Sequence, residues 1–531
     1  MKRREFITLA AVATGISPLL KACATPRVIG GQMVGASAET GHRVRNANLP
    51  EASENRETQV LIIGAGVSGL SAARHLRRKG ITDFIIIDLE KKSGGNATSG
   101  KNQYSAFPWG AHYVPLPNNN LTEYLTFLEE CGSITGWEKD LPVYEEMHLC
   151  ADPQERLFFN GRWQDGLVPN FGLSKNEQQQ IKAFLSQMDH YRQLKGTDGA
   201  DAFAIPVHQS STDATLRLLD NITMKEWLNQ QGWNSPALHE YVNYCCRDDF
   251  GTPHSLVSAW AGIHYFACRK GTAANAIYSD VLTWPEGNGF LIKHLEKNIQ
   301  TKLQLNTVAL NIKQNENSAK VLCYNVVTHK AINIKAQQCI VAVPQFVAAR
   351  LLKNDSRIAT TATHFHYAPW MVANILTEKP EERPGTGPSW DNVIHGSSAL
   401  GYVDACHQLP GNPLIRNFTY YKPLTDDKPA NERKKAQTKT HENWCEEIVN
   451  DLSKIHPGIR ENIREINIMI WGHAMIQPLP GFIHGELLAA AAQSEGSNIH
   501  FAHSDLSGIS IFEEAFYQGL NAAEKVIAAI A

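Results

Sequence analysis

The run Gly64-Ala65-Gly66-Val67-Ser68-Gly69 constrains this chain more than any other feature. It follows Gln59-Val60-Leu61-Ile62-Ile63, a short apolar run of β-formers, and leads into an Ala-, Leu- and Arg-rich helical stretch that continues to about Lys79. Strand, glycine turn and helix in that order form the first half of a dinucleotide-binding unit. Gly64 makes the tight turn, Gly66 lets backbone amides approach a pyrophosphate, and Gly69 lets helix and strand pack closely. Val67 and Ser68 begin the helix, whose free N–H groups face the anion. A second buried strand, Asp83-Phe84-Ile85-Ile86-Ile87-Asp88, ends in an acid 19 residues after Gly69, placed to accept hydrogen bonds from ribose hydroxyls. A lone glycine cluster says little, but this one has its strand, helix, second strand and acid. Beyond Asp88 and Leu89, the stretch Lys91-Lys92-Ser93-Gly94-Gly95-Asn96 supplies another glycine turn that can bring amides to phosphates and a ribityl chain, which favours FAD over NAD.

Four separated blocks then resemble the flavin-dependent amine oxidase superfamily, which includes polyamine dehydrogenase-like and phytoene desaturase-like members. Asp88 to Gly95 is similar to that family's acid and Gly-Gly turn, with Asp for its usual Glu and Asn96 for its usual Arg. Phe107-Pro108-Trp109-Gly110-Ala111-His112-Tyr113 resembles the segment passing beside the flavin ring, which implicates His112. Pro285 to Phe290 resembles the return to the FAD domain, and the resemblance implies that Val308 holds adenine through its backbone, with Ile340 to Pro344 closing that section. Ile499 to Asp505 and Phe512 to Gly519 resemble the final strand and helix, with Asp505 as a cofactor contact. Two departures stand in that last block: His503 replaces a Gly and Glu514 replaces a small residue.

The resemblance implies an α/β fold: a Rossmann-like FAD-binding domain of the amine oxidase/glutathione-reductase type, split in sequence, with an inserted α+β substrate domain. The expected divisions are FAD-binding parts at 58–115, 285–345 and 466–531, and substrate parts at 116–284 and 346–465. The last helix has a physical role of its own. Its first turn presents free N–H groups and a positive dipole end, so Ile511, Phe512 and Glu513 suit the pyrimidine edge of a flavin, where reduction places negative charge.

The substrate side is written less clearly. Trp471, just before the last FAD block, is the foremost expected substrate-site residue, because an aromatic there faces the flavin in the family. Trp370, in His364-Phe365-His366-Tyr367-Ala368-Pro369-Trp370, and His112 complete the catalytic candidates. Tyr244 to Gly251 and Ser258 to Phe266 hold polar and aromatic clusters that line a cleft or, alternatively, form an Arg247–Asp248 pair under aromatic packing. Trp370 to Leu376 lacks the lysine that many amine oxidases keep near the flavin, so the electron acceptor is O2 or a redox partner.

Met1-Lys2-Arg3-Arg4-Glu5-Phe6-Ile7, a moderately apolar run to Leu20, and small residues at Ala22 and Ala24 resemble a twin-arginine export signal over residues 1–24. Such a signal engages export machinery and sends a folded chain to the periplasm, either soluble or lipid-anchored at Cys23. Residues 25–57, rich in Gly, Ala, Ser, Asn and Glu, read as a linker. A net charge of −3 leaves no footprint for nucleic acid, and no segment reaches the ~18 apolar residues of a transmembrane helix. Ten cysteines without CxxC spacing point to buried thiols and no metal site.

The expected function is oxidation of an amine-type small molecule, polyamines included, by hydride transfer to FAD. The alternatives are an FAD-dependent desaturase or isomerase of an apolar polyene, and a redox-silent FAD-binding protein acting in a complex.

Overall fold

The computed structural model describes residues 28–35, 37–46, 48–353, 355–411 and 413–531; the export signal and Cys23 lie outside them. Val60 to Ile63 are at most 3% exposed, and strands buried on both faces belong in a parallel sheet with helices over them. The strand Glu54–Ile63 accordingly pairs in parallel with Phe84–Ile87 on one side and with the long strand Lys330–Val341 on the other. Leu303–Gln304 extends the sheet beyond Phe84–Ile87, and Ile499–Phe501 pairs in parallel with the end of Lys330–Val341. Ser318–Asn325 and Thr307–Asn315 complete seven strands as an antiparallel meander.

The helix Val67–Arg78 springs from the glycine turn. Gly64 has φ +107°, and a Cβ on Gly69 would lie 1.9 Å from the Gly64 carbonyl, so helix and strand meet backbone to backbone. The terminal helix Phe512–Ile530 lies across this helix. The Ser71 hydroxyl donates to the Phe516 carbonyl at 3.1 Å, and a Cβ on Gly519 would sit 2.2 Å from the Ser68 carbonyl.

The second sheet has eight mostly antiparallel strands, and its central strand, Tyr367–Glu378, is flanked by Ile415–Pro423 and Ile463–Ile476. Helices Lys175–Gln193, Pro236–Phe250 and Ala259–Ala267 build the rest of the substrate half. Two expected divisions shift. Residues 466–476 belong to this sheet rather than the FAD half, because Ile463–Ile476 pairs along its length with Tyr367–Glu378. Helices Gln345–Leu351 and Ser356–Ala362 stay with the nucleotide sheet, burying Ala348, Leu351 and Ile358 against its meander.

Residues 25–57 are not a plain linker. Met33–Gly35 is an edge strand parallel to Ile468–Ile470, a short helix covers Ala38–His42, and the central strand already starts at Glu54. Local composition missed this because the strand is held by backbone pairing to a distant edge, which leaves no apolar alternation to read. The cysteines at 131, 150, 245, 246, 268, 323, 339, 406 and 445 are all buried and free.

Glu514 ties the terminal helix to the substrate half by accepting the Val207 N–H at 2.7 Å. Burial raises its carboxyl to about 8. The unfolded chain gives up this proton near pH 4.5 and the fold keeps it to about 8, so the group costs stability progressively as pH rises through that window. Glu514→Gln keeps the acceptor for Val207 and is expected to raise stability at pH 8 by about 1–2 kcal/mol, with little change at pH 4; thermal unfolding at the two pH values checks it. Gly519→Val is expected to cost about 3 kcal/mol or more, because the added methyls meet backbone that cannot yield, and denaturant unfolding measures it.

Candidate functional site

The crevice opens where the parallel strands end, at Gly64, Asp88 and Ala342. Asp88 accepts the Ala65 N–H at 2.7 Å with one oxygen and the Glu90 N–H at 2.8 Å with the other. Burial raises its carboxyl to about 6. The second glycine turn closes on the first: Gly94 N–H donates to the Ala65 carbonyl at 2.8 Å, and Gly66 bridges Gly94. A Cβ on Gly66 would meet nothing within 4 Å, whereas Gly64 and Gly69 are pressed against backbone. The space beside Gly66, next to the start of the helix Val67–Arg78 with Ser68 in its first turn, therefore suits a pyrophosphate. Val308, 5% exposed, sits at the start of the meander with Tyr324 directly opposite. Leu89 is half-buried between Asp88 and Glu90. These features fit a dinucleotide.

Asp505 is placed differently. Its carboxylate accepts the Tyr367 hydroxyl at 2.5 Å and the Gln345 N–H at 3.1 Å, and contacts His503 Nδ1 at 2.9 Å. At 1% exposure its side chain is tied into the turn around it, and His503, in a position usually held by Gly, is one of its partners.

A cleft enclosing about 860 Å³ of atom-free space, its open mouth included, brings together Asn96, His112, Trp370, Trp471, Phe512 and Glu513 from five stretches of sequence. Trp370 and Trp471 are exact strand partners, so both rings project from one face of the eight-stranded sheet. Trp471 Nε1 donates to the Trp109 carbonyl at 2.7 Å. The His112 ring lies 4.6 Å from Tyr421 and 5.5 Å from Trp390, and burial lowers its pKa to about 4, leaving it neutral at physiological pH. Asn96 donates to the Ala474 carbonyl from the segment after Trp471. Glu513, 1% exposed in the first turn of the terminal helix, is raised to about 7 by burial, and its Oε1 has no partner among the described residues.

Part of the cleft lining is acidic. Asp248 and Asp249 line the cleft together with Tyr113 and Arg269. Arg269 donates to Asp249 at 3.2 Å, and its guanidinium lies 4.9 Å from the centre of the Tyr265 ring. Burial, then the charge of Asp249, raises Asp248 to about 7. Burial also raises Glu155 and Asp391, and Glu155 and Asp248 push Asp391 further. The Arg247–Asp248 pair does not form, because Arg247 donates to the Ser398 and Ser397 carbonyls at 3.0 and 3.1 Å and turns away from the cleft. His364 is exposed and bonded within its own turn, so of the cluster from 364 to 370 only Trp370 reaches the cleft. Asp248 and Asp249 stood in a stretch already marked by its polar and aromatic residues. Arg269 and Tyr421 carried no signal, since each is isolated in the sequence and reaches the cleft only through the fold.

The family model described as "Flavin containing amine oxidoreductase" matches residues 67–527. The chain is 23% identical to Oxidoreductase PigB of Serratia sp. (strain ATCC 39006), an alignment covering 88% of this chain and 75% of that protein. A double mutant of putrescine oxidase superposes with TM-score 0.66 at 17% identity, covering 89% of this chain and all of that one. A fatty acid isomerase producing CLA from P. acnes superposes with TM-score 0.61 at 14% identity, covering 87% of this chain and 97% of that one. With the glycine crevice and the terminal helix in place, the match over most of the chain is decisive: this chain is an enzyme of the flavin-containing amine oxidoreductase family, with FAD as its cofactor.

Proposed function

We propose that this enzyme oxidises an amine, with diamines and polyamines the favoured class, at a carbon next to nitrogen. The observation that carries this reading is the pairing of an aromatic wall with carboxylates in one cleft. A protonated amine gains from aromatic faces and from acids; Asp248 and Asp249 line the cleft, Arg269 acts on both of them and on Glu155, and Asp391 lies near enough to Glu155 and Asp248 to be raised by them. An apolar polyene would gain nothing from those acids, which weighs against the desaturase or isomerase alternative, and the same cleft weighs against a redox-silent role.

Gly64 to Gly69, the Gly94-Gly95 turn and Val308 would hold the nucleotide half of FAD, with Ile511 to Glu513 at the ring's pyrimidine edge. FAD supplies the two-electron acceptor for the substrate's carbon–hydrogen bond. The residues of the chain orient and prepare the substrate. Trp370, Trp471 and Tyr421 position the reacting carbon and exclude water, while neutral His112 adds a polarisable face without repelling a cation. Asp248, which ionises near 7, suits holding the ammonium at the substrate's far end, while the reacting nitrogen lies neutral against the aromatic wall. Hydrolysis of the resulting imine gives an aldehyde and ammonia, or an aldehyde and an amine where the oxidised nitrogen is secondary.

No lysine is among the residues lining the cleft. Lys422, opposite Met371 on the neighbouring strand, is bonded to Ser398 and Glu447 on the other face. This supports a redox partner over O2 as electron acceptor. We also propose that the enzyme works outside the cytoplasm, on the strength of Arg3-Arg4 and the apolar run to Leu20.

Anaerobic mixing with putrescine, spermidine or a monoamine tests the central reading. Diamines and polyamines are expected to bleach the flavin band faster than a monoamine of equal length, and air is expected to restore it slowly; no bleaching by any amine refutes the proposal. Asp248→Asn is expected to raise KM for a diamine by about 10–100-fold at pH 8. In the parent enzyme KM should fall as pH rises through about 7, as Asp248 ionises, and the variant should lose that dependence. Steady-state kinetics from pH 6 to 9 checks both.

A further inference from the structure

The stretch before the family match joins the two halves of the molecule across the nucleotide crevice. Ile29, 7% exposed, is buried in the core of the substrate sheet. Ile466 and Ile468 donate N–H bonds to the Gly30 and Gln32 carbonyls at 2.9 and 3.0 Å, and Met33–Gly35 continues as a strand on the edge that also carries Trp471. At Gly31 the backbone has φ +120°, and a Cβ would fall 1.9 Å from the Ile466 carbonyl oxygen, so this seat accepts glycine alone.

The chain then crosses to the nucleotide half. Ser37 donates from its N–H and its hydroxyl to the two carboxylate oxygens of Glu90, at 2.7 and 2.8 Å, two residues after Asp88. The Arg43 guanidinium lies 4.8 Å from the Tyr324 ring, and Tyr324 is the strand partner of Val308. Val44, 5% exposed, joins the core formed by the meander and the helix Gln345–Leu351. Arg45 and His42 lie near enough to His473 to help depress it, after burial and Arg433. Two of these anchors flank the dinucleotide residues: Ser37 bonds the residue two after Asp88, and Arg43 lies on the strand partner of Val308. All of these residues precede residue 67, where the shared family pattern begins.

We propose that Ile29–Gly35 and Ser37–Arg45 form a clasp over the nucleotide half of the FAD site, and that FAD enters and leaves only when the clasp lifts. The clasp carries two arginines and a histidine, Arg43 lying on the Tyr324 ring and Arg45 and His42 beside His473. It is bolted to both halves of the protein, so lifting it breaks a strand pairing on one side and the paired Ser37–Glu90 bonds on the other.

A reducible lock tests this in one protein. In the full-length holoenzyme carrying Ser37→Cys with Glu90→Cys, free-FAD fluorescence after dilution reports release. The oxidised protein is expected to release FAD at least about tenfold more slowly than the same sample after reduction. In Gly31→Val, with circular dichroism matching the parent, release should be at least about tenfold faster, and trypsin should cut after Arg43 and Arg45 sooner. Equal release rates before and after reduction overturn the proposal, whether or not Gly31→Val folds. A parent-like rate in folded Gly31→Val overturns it as well.

Discussion

Backbone contact between two helices at Gly519 is the constraint on which the cleft depends. The terminal helix can lie against Val67–Arg78 only because no side chain intervenes, and that helix is itself pressed onto its strand at Gly69. The two contacts in series fix where the terminal helix begins, and its first turn is the cleft's floor, carrying Phe512 and Glu513. Glu513 would cancel much of the helix's positive end if it were ionised. Burial keeps its proton up to about pH 7, so below that pH the dipole and the free N–H groups act without a carboxylate charge beside them.

The substrate sheet is aligned with this floor by side chains that hook carbonyls of one short segment. Asn374 donates to Pro108 at 3.1 Å, Trp471 to Trp109 at 2.7 Å and Tyr421 to Gly110 at 2.8 Å. These three donors come from three neighbouring strands and grip consecutive residues just before His112. Two of them are also cleft aromatics, so the bonds that join the halves also orient the rings. Loss of Trp471 or Tyr421 would remove a bond that joins the halves as well as free a ring.

The nucleotide half was legible in the sequence because its chemistry is local: glycines at fixed spacing, an acid at the end of the next strand and a helix start each declare themselves within a few residues. The aromatic candidates Trp370 and Trp471 were legible through resemblance, and the strand register that makes them partners explains why both matter. The partners of the Asp505 carboxylate were not legible, because they depend on what the fold brings beside it, here Tyr367 and the Gln345 amide. The acidic side of the cleft was only half visible. Asp248 and Asp249 sit together in sequence, but Glu155, Asp391 and Arg269 meet them only in the folded chain. The clasp was invisible for the same reason, since its strand is held by a partner more than four hundred positions away.

On the proposed function, the acidic side of the cleft also accounts for how a buried site would admit a charged amine. Carrying an ammonium out of water is costly, and so is keeping several carboxylates ionised close together. Each problem relieves the other. Without a cation, burial and mutual repulsion hold Asp248 near 7 and Asp391 far above the usual carboxylate range, so the acids stay partly protonated. An arriving cation favours their ionised forms and is itself favoured by them, so substrate binding and proton release are linked. A diamine, as proposed, would supply two positive centres to that exchange: one would remain at the acids while the other, freed of its proton, would be held against the aromatic wall.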